Sequence, residues 1–168
     1  MTEFLDYVLH SPRLARAVRC GDSILCMRHT RIGEMWFTVW DDGWYGWFEV
    51  QHEQRLDDVA VDRIYELIRA ISRRSSMLRF EVNENLHVVR GIFQLPIYIE
   101  TRFPDDINAA IQGLVQEWEI FVPLLNRVLD GEDVEQVGRE AKEAFEAFDA
   151  GHQQDRLSSK TQAEPRGS

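Results

Sequence analysis

The stretch Leu78–Leu125, LRFEVNENLHVVRGIFQLPIYIETRFPDDINAAIQGLVQEWEIFVPLL, decides the fold. Leu78, Phe80 and Val82 alternate with Arg79 and Glu81, the period of a half-buried strand. Asn83-Glu84-Asn85 is a polar turn, and Leu86–Leu95 is a second apolar run whose pairing Pro96 weakens. Pro104-Asp105-Asp106 then opens a helix, because a proline and acids suit a first turn. Its apolar stripe is Ile107, Ala110, Ile111, Leu114, Trp118, Phe121, Val122 and Leu125, a helical spacing. Gly113 and Pro123 oppose it locally, at about 1 and about 3 kcal/mol relative to alanine. Each large apolar side chain buried returns about 1.5–3 kcal/mol, so the helix is expected to survive, with a kink or break at Pro123.

Working outward, Phe4, Leu5, Val8 and Leu9 have helical spacing, and Ser11-Pro12 suits a restart. Thr2–Arg19 reads as one broken helix or two short ones. Three strands follow, Ser23–His29, Glu34–Trp40 and Trp44–Val50, the last two joined at an Asp42-Gly43 pair that favours a tight hairpin. Asp57-Asp58 caps a helix carrying Val61, Ile64, Tyr65, Ile68 and Ile71 on one face. After Gly131, residues Val134, Val137, Ala141, Phe145 and Phe148 mark a weaker amphipathic helix with acids in its first turn. The expected class is α+β, an antiparallel sheet with helices on one side, in the order α-β-β-β-α-β-β-α plus a C-terminal helix. Residues 1–129 form one domain, 130–150 an acidic helix, and 151–168, with a single leucine, a disordered tail.

The charge balance is 19 basic against 29 acidic residues, net −10, which opposes nonspecific binding to nucleic acid and anionic membranes. Half of the acidic excess lies in Asp130–Ser168. Cys20 and Cys26 suggest neither a zinc site nor a disulfide framework and read as two reduced thiols. The N-terminus lacks the pattern of a signal peptide and no run suits a membrane span, so the cytoplasm is the expected location. His10, His29, His52, His87 and His152 show no ligand spacing, and there is no phosphate loop or nucleophile elbow. No catalytic residue, cofactor or metal is expected.

What remains is aromatic. Trp36, Trp40, Trp44 and Trp47 fall within 12 residues. Trp36 and Trp40 share strand parity, opposite to Phe37 and Val39, so helices on one side of the sheet leave one aromatic set uncovered. Such a patch is either a contact site for a partner or covered by the C-terminal helix or a second subunit. Stacking of single-stranded nucleic acid on these rings is the alternative, opposed by the acidic neighbours Asp41, Asp42 and Glu49.

The element order, with Met77-Leu78-Arg79-Phe80-Glu81-Val82-Asn83-Glu84 running through Leu86–Leu95, and the helix ending Phe121-Val122-Pro123-Leu124-Leu125, resembles the YbjN-domain family over Phe4–Leu129. That family has the type III secretion chaperone-like fold. The resemblance implies a small cytosolic bacterial protein, often a homodimer, without enzymatic activity, that binds a client protein segment. The Trp-rich hairpin and the segment after Gly131 have no counterpart in that pattern. The resulting expectation is a noncatalytic protein-binding module using Trp36, Trp40, Trp44 and Trp47. An accessory factor for single-stranded nucleic acid comes second, and a small enzyme assembled only in space comes third.

Overall fold

A computed structural model of the chain describes residues 3–11, 18–19, 24–29, 33–42, 45–71, 77–96 and 105–162. Helix α1 (Glu3–Leu9) precedes strands β1 (Val18–Arg19), β2 (Ile24–His29), β3 (Gly33–Asp41) and β4 (Tyr45–Gln51). Helix α2 (Asp58–Ile71), strands β5 (Arg79–Asn83) and β6 (Val88–Pro96), and helices α3 (Asp105–Leu129) and α4 (Val134–Gln162) complete the order. The strands make one antiparallel sheet in the order β1-β2-β3-β4-β6-β5. The α+β class and the antiparallel sheet are as the periodicities predict.

One face of the sheet carries Val39, Phe48, Val50, Leu78, Phe80, Val82 and Val89, all buried. Phe80 is the hub of this face. It stacks on Phe121 at 4.1 Å and on Trp118 at 6.2 Å, and takes the edge of Phe145 at 5.8 Å. Leu78, Phe80, Val82, Ile111, Leu114 and Trp118 thus share one core, as their two periods require. Val137, Ala141 and Phe145 of α4 belong to the same buried cluster. At the other end Phe4 of α1 meets Phe48 edge-on at 5.5 Å and lies against Gly46.

The local rules are visible at the helix ends. Asp57 caps α2 by accepting the Ala60 N–H at 2.7 Å, and Asp133 caps α4 by accepting that of Gln136 at 2.8 Å. Gly131, with φ 101°, ends α3. The N–H of Gly131 reaches the Val128 carbonyl and that of Glu132 the Arg127 carbonyl, the two bonds of a Schellman motif. The opposing glycines also have reasons. A Cβ on Gly113 would stand 2.5 Å from Met77 Sδ, and one on Gly138 would stand 3.0 Å from Ala70 Cβ, where α4 crosses α2.

α3 runs unbroken through Pro123, as burial winning over local propensity requires: Phe121, Val122, Leu124 and Leu125 on either side are buried while the proline itself is exposed. Three expectations are corrected. Val18-Arg19 is not helical but pairs with Cys26 and Leu25 of β2, where the sheet takes up backbone groups that a short isolated helix leaves open. The β3–β4 hairpin closes one residue later than the Asp42-Gly43 pair suggests. Asp42 N–H donates to the Tyr45 carbonyl and Asp42 Oδ1 accepts from Tyr45 N, while residues 43–44 lie outside the described residues. Finally, the helix expected to stop at Ala150 stays helical to Gln162. Half of residues 151–162 are good helix formers (Gln153, Gln154, Arg156, Leu157, Lys160 and Gln162), and adding a residue to an existing helix needs no new nucleus.

Candidate functional site

The face of the sheet opposite the helices is built by alternate residues of β3, β4, β6 and β5. Register places Trp36, Thr38 and Trp40 on it from β3, with Tyr45, Trp47, Glu49 and Gln51 from β4. Arg90, Ile92 and Gln94 follow from β6, and Arg79, Glu81 and Asn83 from β5. Among the described residues, every ring contact from a helix goes to the other face.

The aromatic part is ordered by its own contacts. Trp40 and Trp47 are cross-strand partners whose rings stack at 5.7 Å with only 4° between their planes. Trp47 Nε1 donates to Asp42 Oδ2 at 3.2 Å, and Tyr45 sets its ring edge-on to Trp47 at 6.4 Å. Asp42 therefore ties the hairpin turn and orients the outer indole at once. Trp36 is 38% exposed, the most open of the described tryptophans, while Trp40 and Trp47 are half-buried. The expected parity of Trp36 and Trp40 is found. Trp44 lies outside the described residues.

Beside the rings runs a charged ladder that sequence reasoning missed. Glu49 is buried, and its two oxygens accept from Gln51 Nε2 at 2.5 Å and from Arg90 Nη1 at 3.2 Å. Arg90 also donates Nε to Glu81 Oε1 at 2.7 Å, and Arg79 pairs with Glu81 at 3.3 Å. A buried carboxylate needs such partners. The only hint in the sequence was an acid, Glu49, inside an otherwise aromatic strand. The pairings join three strands and are invisible before register is known. Chemically, this face offers flat apolar rings beside cations already committed to carboxylates.

Among the described side chains, His10, His52 and His87 do not meet it. His52 is buried beside α3, where burial above all lowers its pKa, while Glu53, Asn126 and Gln54 act the other way. His10 is exposed next to Asp6, and His87 holds a positive φ of 53° in the β5–β6 turn. Among the described residues no group of three or more His, Cys, Asp or Glu is placed to hold a metal ion. No helix among them is long and apolar enough to cross a membrane.

No family model matches the chain, and neither a curated protein nor a solved structure matches it.

Proposed function

We propose that this chain is a noncatalytic protein-binding module that takes a segment of a client protein on the aromatic face of its sheet. One observation carries the reading: Trp36 is 38% exposed on the same face as the stacked Trp40–Trp47 pair, away from the helices. Large rings fixed on a sheet lose little conformational freedom on contact, and tryptophan is enriched among residues that dominate binding. Register places Arg28, Arg79 and Arg90 on this face, and of these Arg79 pairs with Glu81 and Arg90 with Glu49. The paired two are poorly placed to neutralise phosphates, which favours a protein over a nucleic acid. The resemblance to the YbjN-domain family supports the same reading, with a cytoplasmic homodimer as its working form.

The test separates binding from folding. A client recovered by crosslinking in the source cell is titrated against wild type, Trp36→Ala and Trp44→Ala, with urea stability measured in parallel. Binding should weaken by about 2 kcal/mol or more, as for a hot-spot residue. For Trp36→Ala stability should move less than binding does, since this ring is the most open of the described tryptophans. Indole emission should shift to shorter wavelength as client is added. Binding loss that merely follows unfolding, or binding untouched by either substitution, would end this assignment.

A further inference from the structure

α2 and α4 approach each other closely where Ala70 meets Gly138, since a Cβ on the glycine would stand 3.0 Å from that of the alanine. The same two residues, with Val134, form the apolar floor of a cavity of about 500 Å³ between the helices. Small-molecule sites usually enclose ~300–1,000 Å³. The walls are charged. α2 supplies Glu66 and Arg69, one helical turn apart, and α4 supplies Glu135, Arg139 and Lys142, four and three residues apart. At that spacing each set shares one side of its helix.

The three cations are exposed, and among the described residues none of their side chains makes a hydrogen bond or an ion pair. Arg79, Arg90 and Arg127, by contrast, are committed to carboxylates. Glu140, the acid beside Arg139 in sequence, is taken by Arg127. In a chain of net charge −10, three uncommitted cations around one hollow make a local positive potential that draws in an anion.

We propose that this cavity binds a small phosphate monoester that also carries hydroxyl or amino donors. Two guanidinium forks and one ammonium match the terminal oxygens of a phosphate group. Glu66 and Glu135 are acceptors only, so they suit hydroxyl or amino groups on the rest of the ligand. The same two acids oppose a polyanion such as a nucleic-acid strand, and the volume suits a single small molecule. The floor of Ala70, Val134 and Gly138 offers a flat apolar seat for a ring. The site lies on α2 and α4 and does not depend on the reading of the aromatic face.

Calorimetric titration of the full chain at low salt tests the site, with AMP, ribose 5-phosphate, adenosine and inorganic phosphate as probes. At least one of the two esters should bind saturably, with Kd below about 1 mM. The tighter of the two identifies the source of the phosphate as nucleotide or sugar. Amide shifts on binding should fall on 66–70 and 134–142. Arg139→Gln and Lys142→Gln change exposed side chains and should each weaken binding about tenfold, as loss of a charge-assisted hydrogen bond does. Arg55→Gln, at an exposed arginine outside the cavity, should leave binding unchanged. Saturation by neither ester, an equal loss in Arg55→Gln, or adenosine or inorganic phosphate binding as tightly as both esters would overturn the proposal.

Discussion

Adding a single carbon at Gly46 should undo the seating of the first helix. The glycine is paired with Asp41 on one side and Leu95 on the other, and the ring of Phe4 packs against it. A Cβ there would come within 2.7 Å of three carbons of that ring, where ordinary contact is 3.4–4 Å. The ring must retreat by about an ångström or leave. A full departure has the cost of a Phe→Ala truncation in a core, about 3–5 kcal/mol. A partial shift costs about 1–3 kcal/mol, as overpacking does. Against this, alanine recovers roughly 0.5–1 kcal/mol of strand stability that glycine forgoes. The net expectation for Gly46→Ala is a loss of about 1–3 kcal/mol in urea unfolding. In a Phe4→Ala background the clash is gone, and the same substitution should be neutral or stabilising by up to about 1 kcal/mol. The double-mutant cycle thus predicts a coupling of about 1–4 kcal/mol. A neutral Gly46→Ala, or equal cost in both backgrounds, would refute the reasoning and show that α1 does not dock here.

Two further outcomes are expected. Pro123→Ala should raise stability by about 1–3 kcal/mol, because the proline is exposed and supplies no N–H to the Glu119 carbonyl; a loss in urea unfolding would mean that it relieves strain unseen in the helix. His52 is buried with its Nδ1 3.3 Å from the Gln54 nitrogen, and burial above all holds its pKa below the ordinary value. Its lowered pKa means that stability is present above the ordinary 6.5 and falls as pH drops through it; a His52→Gln variant with the same acid profile would contradict this.

Leu78–Leu125 was readable because two periods, two for the strands and 3.6 for the helix, repeat often enough to leave few alternatives. β1 was not, since a pair of residues has no period and Val18-Arg19 becomes a strand only because β2 lies alongside. The extension of α4 past Ala150 was missed for a different reason. Poor apolar content predicts disorder, yet extending an existing helix avoids the cost of nucleating a new one. At the candidate site the parity of Trp36 and Trp40 was legible, because alternation along one strand is a local property. The Trp40–Trp47 stack needed the β3–β4 register, and the Glu49–Arg90–Glu81 chain needed two registers at once. Buried Glu117 did leave a mark, one acid inside the apolar stripe of α3. Its partners, the N–H groups of Met77 and Leu78, 40 and 39 residues away in sequence, could not be named from that mark.

That chain of side chains also settles an ambiguity of β-sheets. Sliding β6 by one residue against its neighbours would turn Arg90 towards Phe121 and Trp118 and would bring Val89 out to water. The apolar side alone penalises this slip through lost burial. The polar side penalises it again, because Glu49, buried and tied to Arg90, would lose that partner. The strand alignment is thereby checked twice, from opposite surfaces and by unrelated forces. A sheet checked in this way can leave one surface open to a visiting chain and still keep its own strands in place.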